Sequence, residues 1–377
     1  MHPIGRATLL AVVVVVLGGC DGAGPTPTST PAATPAPHGP SAAGDAVSQV
    51  TFMRDGLDLH GDLRLPGGAG PHPGVVLVHG SGPLDRDGTI PGQLAMTFAR
   101  PVDVFTDLAA GLRDAGYAVL TYDKRTCGPF NGCADNGYPR PPDDLTIDAF
   151  TADAQAAVEH LRSVPDVDPD AVAVAGHSQG ATFVPGMLLD DPRLMAGIML
   201  SAPYEPIDDL LARQADTVDD LVARMDPQPA GAADDVVRLR RLARSVGRLR
   251  AGGGGDDRTP LGGATVGFWR SWVRVSDGVP QLAQQAEQPL LVLTGAADTN
   301  IGEDQTALWY RDLTQARGRT APAHDRVVQL DCVSHALNCL GTDDPLAVDP
   351  EAIDSTVDPR VVARIAAFLD TARSADP

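Results

Sequence analysis

The chain has 377 residues, of which 43% are hydrophobic and only 4% aromatic. This composition is too rich in hydrophobic residues for a disordered chain and too varied for a fibrous one, so a large core is expected. The 49 acidic and 29 basic residues give a formal net charge of −20, which argues against a nucleic-acid partner because most of the surface repels phosphates. Small molecules or other proteins are the expected partners.

Residues 1–19 have the pattern of a signal peptide. A single Arg precedes an apolar run from Ala7 to Leu17, which is too short to span a bilayer as a helix. The sequence LGGC at residues 17–20 resembles the bacterial lipobox, and this resemblance implies that Cys20 is lipidated and begins the mature chain. An ordinary cleaved signal with an incidental cysteine is the alternative. We therefore expect an exported lipoprotein anchored to the outer face of the cell membrane.

Residues 20–46 are predicted to be a linker. They are rich in Pro, Thr, Ala and Gly, and they lack the apolar periodicity that a core requires. The linker would lift a folded domain, residues 47–377, off the membrane. That domain begins with an alternating segment, Val47 to Pro66, whose interruption at Asp55 and Gly56 predicts a β-hairpin.

Short apolar runs and helical stretches then alternate along the chain. Runs without polar alternation are typical of strands that are covered on both faces of a parallel sheet. They lie at residues 74–78, 118–121, 171–174, 197–200 and 290–293. The predicted fold class is α/β, a mostly parallel sheet with helices on both faces and functional residues at the carboxyl ends of its strands.

An insert at about residues 204–288 interrupts this alternation. It contains two predicted helices, Ile207 to Met225 and Ala232 to Arg250, and is expected to form a lid over the carboxyl edge of the sheet. The second helix carries Arg238, Arg240, Arg241, Arg244, Arg248 and Arg250. We interpret these arginines as a solvated face opposite an apolar stripe, in preference to a site for an anionic substrate or a lipid headgroup.

The sequence GHSQG at residues 176–180 follows one predicted strand directly and precedes a helix. This is the G-x-S-x-G pattern of a nucleophile elbow in the context that such an elbow requires. The turn lifts the hydroxyl of Ser178 above the sheet at a helix amino terminus. Ser178 is therefore the candidate nucleophile, and a structural serine in a tight turn is the alternative.

A serine hydroxyl needs a base, and in α/β-hydrolases the chain order is Ser, acid, His. Only His324 and His335 follow the elbow. His335 follows a strand at residues 326–330 and would lie at the carboxyl edge, whereas His324 precedes that strand. We therefore predict His335 as the base.

Asp298 is the predicted acid, because it follows the apolar strand that lies between the nucleophile and the histidine. Its role would be to fix the tautomer of the base and to stabilise the imidazolium. Glu303 and Asp304 are nearby alternatives, but acidic side chains at these positions are also typical of a helix start.

Acyl transfer also requires hydrogen-bond donors for the oxyanion. The backbone N–H of Gln179, the residue after the nucleophile, is one predicted donor. The second is expected in the loop that follows the strand at residues 74–78, where small residues let the backbone approach a substrate. Ser81 N–H is the preferred donor there, and Gly82 N–H is the alternative.

This loop has the sequence HGSGPLDRD at residues 79–87, and YDKRT follows the next strand at residues 122–126. Together they resemble the bacterial serine α/β-hydrolase esterases with HGSGPxDRD and YDKRT motifs, from about Val50 to Leu369. The resemblance implies hydrolysis of small-molecule carboxylic esters without a metal or organic cofactor. The chain departs from this family at Ala181, where glycine is usual.

Lys124, the only lysine, lies within the second motif. Its position after a strand predicts a place in the wall of the site, together with Gly82. We expect an ion pair with Asp85 or Asp87 rather than a direct part in catalysis.

Four cysteines remain after Cys20, and an even number in an exported chain favours disulfides over a metal site. Each pair brackets a short segment, so local pairing is expected, and pairing between the two segments is the alternative. The predicted bonds are Cys127 to Cys133 and Cys332 to Cys339.

The leading hypothesis is an esterase that acts through an acyl-enzyme. A serine aminopeptidase or dipeptidase on the same fold would need an acidic pocket for a substrate ammonium. A surface lipoprotein that binds a ligand without catalysis is a third possibility, against which the presence of all three side chains of a Ser-His-Asp triad argues.

Overall fold

A computed structural model describes residues 47–90, 101–138, 144–225, 228, 231–316, 326–344, 346–348 and 353–374. The predicted signal peptide, Cys20 and the linker lie outside the described residues, and so does His324. Within the described part of the chain, no helix combines the length and the apolar character needed to cross a membrane.

Twelve strands and eight helices succeed one another along the described chain. The strands are β1 Val47–Arg54, β2 Leu57–Arg64, β3 His72–Val78, β4 Thr89–Ile90, β5 Val102–Asp103, β6 Ala118–Tyr122, β7 Val167–His177, β8 Gly197–Leu200, β9 Pro260–Leu261, β10 Ala264–Thr265, β11 Leu290–Gly295 and β12 Arg326–Leu330. The helices are α1 Val104–Asp114, α2 Ile147–Arg162, α3 Val184–Asp190, α4 Ile207–Arg224, α5 Ala232–Arg250, α6 Val266–Gln285, α7 Glu303–Arg311 and α8 Pro359–Ser374.

Eight strands form one sheet in the order β1-β2-β6-β3-β7-β8-β11-β12. The β1–β2 and β2–β6 pairs are antiparallel, and the neighbours from β6 to β12 are parallel. The predicted hairpin turns at Asp55 and Gly56, whose φ angles of 54° and 79° are left-handed. The predicted α/β fold with a mostly parallel sheet is thus confirmed.

The central strands bury both of their faces, which explains their continuous apolar sequences. Val76 and Val174 belong to a core cluster that also contains residues of α2 and of the insert helices. Val75 and Ala173, their neighbours in sequence, belong to a second cluster with residues of α1 and α8. Because successive side chains of a strand point to opposite faces, the sheet is the middle of three layers.

The insert consists of α4, α5, the β9–β10 hairpin and α6. Its first helix ends at Arg224, one residue before the predicted end, and its second helix has the predicted bounds. On α5 the buried residues are Ala232, Val236, Leu239, Leu242, Ala243, Val246 and Leu249. The arginines lie mostly on the exposed side, where Arg240 pairs with Asp216 and Asp219, so the interpretation as a solvated face is confirmed.

Candidate active site

The elbow holds Ser178 in a backbone conformation that side chains rarely adopt. β7 ends at His177, and Ser178, with φ of 54°, begins a short 3₁₀ helix that runs to Thr182. A Cβ on Gly176 would lie 2.2 Å from the carbonyl oxygen of Gly180, and one on Gly180 would lie 2.3 Å from that of Val78. Both distances are far below van der Waals contact, so the turn requires glycine at these two positions.

Ser178, His335 and Asp298 form one chain of hydrogen bonds. His335 Nε2 lies 3.0 Å from Ser178 Oγ, and its Nδ1 lies 2.9 Å from Asp298 Oδ2 and 3.1 Å from Oδ1. The three residues follow three parallel strands, β7, β11 and β12, whose carboxyl ends meet at one edge of the sheet. This arrangement gives His335 an acceptor nitrogen toward Ser178 and a donor nitrogen toward Asp298.

Asp298 is held as a carboxylate in a buried place. The residue is only 3% exposed, and the backbone N–H groups of Asn300 and Ile301 donate to Oδ1 over 3.0 and 3.1 Å. Burial alone opposes ionisation, but the interaction with His335 and these hydrogen bonds lower the pKa of Asp298 below its usual value. The acid therefore stays charged where it faces the imidazole.

The alternative acids lie at a helix start, as the sequence indicated. α7 begins at Glu303. The carboxylate of Asp304 pairs with the guanidinium of Arg213 over 3.0 Å. The structure therefore brings Asp298, and not Asp304, to His335.

Both preferred oxyanion donors lie beside Ser178. Ser81 and Gln179 line the same cleft as the nucleophile. The N–H of Gln179 lies in the first turn of the 3₁₀ helix, where N–H groups lack partners within the helix. Gly80 packs against the elbow so closely that a Cβ there would lie 3.3 Å from that of Ser178. Gly82, the alternative donor, has φ of 98°, which favours glycine.

The prediction for the partners of Lys124 is wrong. Its Nζ donates to the carbonyl oxygen of Gly80 over 2.6 Å and to Oε1 of Gln179 over 2.8 Å. The carboxylates of Asp85 and Asp87 are already occupied, since they accept hydrogen bonds from Thr89 and Thr106 respectively. Lys124 thus lies behind the two loops of the site rather than in the wall of the cleft.

Lys124 is buried, with 3% exposure, and its Nζ lies 4.2 Å from the centroid of the Phe150 ring. This burial lowers the pKa of Lys124 to about 7, although the charge of Asp153 opposes the effect. The amine and the ammonium are therefore both populated near pH 7, and the charged form is held by hydrogen bonds and a ring face in place of water.

The segments HGSGPLDRD, residues 79–87, and YDKRT, residues 122–126, are joined by an ion pair. Arg86, in the first motif, donates through Nε and Nη2 to both carboxylate oxygens of Asp123, in the second, over 3.0 and 2.6 Å. Nη1 of the same guanidinium donates to Asp62 of β2 over 2.9 Å. Such a two-pronged pair fixes the relative orientation of the two loops that flank the site.

His177, the residue before the nucleophile, has a contact that the sequence analysis missed. Its Nε2 donates to the carbonyl oxygen of His335 over 2.8 Å. Burial, followed by the neighbouring His335, lowers the pKa of His177 to about 3, so the ring is neutral. The position in the elbow was evident from the sequence, but the contact depends on a loop 158 residues away.

The cleft beside Ser178 is partly open to solvent. Residues of the insert that line it are Glu205, Ile207, Leu210, Gln214, Trp272 and Ser276. The sequence placed the insert over the site but did not predict these residues. The lining residues of α4 and α6 are spaced three or four positions apart and so share one face of each helix. This spacing is the sequence signal that could have identified them.

Both predicted local disulfides are present. Cys127 is bonded to Cys133, and Cys332 is bonded to Cys339. The second bond closes the loop that carries His335.

A mostly parallel, helix-covered sheet with a G-x-S-x-G turn at its carboxyl edge defines the class of α/β hydrolases. The chain belongs to the serine aminopeptidase S33 family, whose sequence pattern matches residues 98–323. This match contains Ser178 and Asp298 and ends before His335.

The chain is also similar to individual proteins. Esterase EstD of Thermotoga maritima is 30% identical over 257 residues, which cover 68% of this chain and 54% of EstD. An uncharacterized protein of Mycobacterium tuberculosis is 27% identical over 224 residues, 55% of this chain and 68% of the relative. The solved structure of the α/β hydrolase GrgF from Penicillium matches with a TM-score of 0.52 at 18% identity, covering 87% of this chain and 99% of GrgF. The last similarity concerns the fold alone.

Proposed function

We propose that this protein is a serine hydrolase that cleaves carboxylic esters of small molecules through an acyl-enzyme intermediate. The observation that carries the proposal is the hydrogen-bonded chain from Ser178 through His335 to Asp298, with the residues that bear two N–H donors beside it. The esterase name of the Thermotoga relative supports the same reaction. The proposed chemistry needs no metal or organic cofactor, because the chain supplies the nucleophile, the base and the donors.

Each step has a residue in position. His335 Nε2 takes the hydroxyl proton as Ser178 Oγ attacks the ester carbonyl, and the N–H groups of Ser81 and Gln179 bind the oxyanion. The imidazolium, stabilised by Asp298, then protonates the departing alkoxide and leaves an acyl-serine. Water, deprotonated by His335, attacks this ester, and collapse of the second tetrahedral intermediate releases the acid and restores Ser178.

The cleft favours an ester over a peptide with a free amino terminus. Glu205 is the one acidic residue among the described residues that line it. Nε of Arg213 donates to Glu205 Oε2 over 3.0 Å, and Nη2 of Arg213 donates to Oε1. A substrate ammonium would have to displace this guanidinium, which also pairs with Asp304. Ile207, Leu210 and Trp272 give the rest of the wall an apolar character that suits an uncharged acyl or alcohol group.

Turnover of p-nitrophenyl acyl esters and aminoacyl p-nitroanilides by the same preparation separates the two activities. We expect the esters to be hydrolysed and Ser178→Ala to reduce this activity to near background without unfolding the protein. Ser163→Ala, which changes a serine after α2 outside the cleft, is the matched control and should behave as wild type. Preferential cleavage of the anilides would support the aminopeptidase, and ester turnover that survives in Ser178→Ala would exclude the proposed nucleophile.

The protein is further proposed to be a membrane-anchored lipoprotein, with an acylated Cys20. The support for this anchor is the sequence LGGC at residues 17–20 behind a short apolar run. Cys20→Ala should release the protein from the membrane fraction, with the tightly packed catalytic domain still active. Mass spectrometry that finds an unmodified Cys20 on the mature chain would refute the anchor.

A further inference from the structure

Lys124 connects the two backbone segments on which the proposed oxyanion donors lie. Its Nζ donates to the carbonyl oxygen of Gly80 over 2.6 Å and to the side-chain Oε1 of Gln179 over 2.8 Å. The first segment is the loop after β3, and the second is the start of the 3₁₀ helix after β7. A single buried ammonium therefore holds both sides of the candidate oxyanion site.

The bond to Gly80 fixes the direction of the Ser81 N–H. The carbonyl of Gly80 and the N–H of Ser81 belong to one peptide group, which is planar and trans. In such a group the C=O and N–H bonds point in opposite directions. Anchoring the oxygen on Lys124 therefore prevents the peptide from turning and keeps the N–H pointing away from the ammonium.

The same hydrogen bond strengthens the N–H as a donor. A charged donor makes a stronger hydrogen bond than a neutral one, and hydrogen bonds in series polarise one another. When Lys124 is protonated, its ammonium draws electron density toward the Gly80 oxygen and so increases the positive character of the Ser81 hydrogen. Since negative charge develops on the substrate only in the transition state, this polarisation favours the transition state over the ground state.

The second bond holds the elbow. Gln179 contributes its N–H to the oxyanion while its side chain accepts from Lys124, and Thr182 Oγ1 donates to its carbonyl oxygen over 2.6 Å. The side chain and the main chain of Gln179 are thus fixed from two directions. The distance between the two proposed N–H donors and the direction of each N–H are consequently fixed.

We propose that Lys124 is a positioning residue that orients and polarises the oxyanion-binding N–H groups of Ser81 and Gln179. This inference rests on the proposed acyl transfer. The burial of the ammonium behind Phe150 supports it, because an apolar side chain would fill the same space without the cost of removing a charge from water.

Lys124→Met, which keeps an unbranched side chain one atom shorter than that of lysine and removes its donors, tests the proposal. We expect kcat/KM for a p-nitrophenyl ester to fall about 10- to 100-fold, less than or similar to the loss of one oxyanion donor. The inhibition constant of a trifluoromethyl ketone, which forms a tetrahedral adduct on Ser178, should rise by the same factor. The matching alcohol cannot form the adduct, so its inhibition constant should change less than about twofold.

Gln179→Met provides a second variant in case Lys124→Met does not fold. It removes one of the two bonds of Lys124 and leaves every main-chain N–H in place, so we expect the same selective loss of ketone affinity, but smaller. In the double variant the two losses should not add, because they remove a shared interaction.

Asn136→Ala is the matched control for a general loss of order in the loop that carries Lys124. Asn136 Nδ2 donates to the carbonyl oxygen of Arg125, the neighbour of Lys124, and touches neither Gly80 nor Gln179 in the described contacts. It should lower the melting temperature and leave the ratio of ketone to alcohol affinity unchanged.

An unchanged ratio in both Lys124→Met and Gln179→Met, or an equal change in Asn136→Ala, would overturn the role of Lys124. Ester turnover by the wild-type protein distinguishes a failure of the positioning role from a failure of the proposed function. If wild type hydrolyses esters and Lys124→Met does so equally well, only the positioning role fails. If wild type hydrolyses no ester, the proposed function itself fails.

Discussion

At the scale of single residues, the charge on Asp298 decides which tautomer of His335 faces Ser178, the proposed nucleophile. The carboxylate accepts from Nδ1, so Nε2 is left to accept the proton of Ser178, 3.0 Å away. Asp304 lies only six positions further along the chain, but its carboxylate pairs with Arg213. The two carboxylates therefore differ in position, since that of Asp298 reaches His335 and that of Asp304 reaches Arg213.

Asp298→Asn should reduce kcat for ester hydrolysis by about 10²- to 10⁴-fold, less than Ser178→Ala or His335→Ala, because the amide keeps its place but not its charge. Asp304→Asn is the control and should retain most of the activity. Steady-state kinetics on folded variants checks both. A larger loss in Asp304→Asn than in Asp298→Asn would show that the acid is wrongly assigned.

At the scale of elements, the junction of β7 with the following helix sets the height of Ser178 above the sheet. It depends on close backbone contacts, since the backbone of Gly180 approaches the end of β3 too closely for any side chain. The loop after β12 carries His335, the proposed base, and its disulfide closes around this residue. Both elements therefore act on the geometry of the site as well as on stability.

Gly180→Ala should destabilise the protein by about 1–3 kcal/mol or more, because its Cβ would overlap the carbonyl oxygen of Val78. Gly186→Ala is the matched change within α3. There the nearest atom, Cδ1 of Leu282, is 4.0 Å away, and we expect about 0.5–1 kcal/mol of added stability from helix propensity. Denaturant unfolding measures both, and equal effects would contradict the steric account of the elbow.

Cys332→Ser should lower kcat more than it lowers the melting temperature. The bond to Cys339 closes a short loop, so its entropic contribution is modest, whereas it restricts where the imidazole of His335 can lie. Cys133→Ser opens a loop of similar length that carries no proposed triad residue, and it should lower the melting temperature with a smaller loss of kcat. Similar kcat losses in the two variants would contradict this view.

At the scale of the whole molecule, neutral histidines are buried under the active site. Burial lowers the pKa values of His79 and His177 from 6.5 to about 3 in the folded chain. Unfolding below pH 6.5 lets both rings take up protons that the folded state excludes. Their contribution to stability is complete above that pH and is lost as the pH falls toward 3.

We therefore expect the free energy of unfolding to decrease between pH 6.5 and pH 5, with each such histidine adding a slope of up to about 1.4 kcal/mol per pH unit. His79→Gln preserves a donor for the carbonyl oxygen of Asp85 and should make the slope shallower. Urea unfolding at several pH values gives these slopes. An identical slope in His79→Gln would mean that His79 is protonated in the folded protein.

The sequence was sufficient for features that depend on local pattern. Apolar runs predicted the parallel strands, helix periodicity predicted α5, and the elbow followed from two glycines around Ser178. The partners of Lys124 and the pairing of Glu205 with Arg213 escaped prediction. They join segments far apart in sequence, and their geometry is set by how the sheet, α2 and the insert pack.

The most direct test of the central claim is labelling by a fluorophosphonate, followed by mass spectrometry of the modified peptide. The account predicts one phosphonylated residue, Ser178, in the wild-type protein, with labelling slowed severely in His335→Ala because the hydroxyl then lacks its base. Circular dichroism should show that this variant remains folded. Labelling of a different residue, the absence of labelling in active protein, or an unchanged rate in His335→Ala would contradict the account.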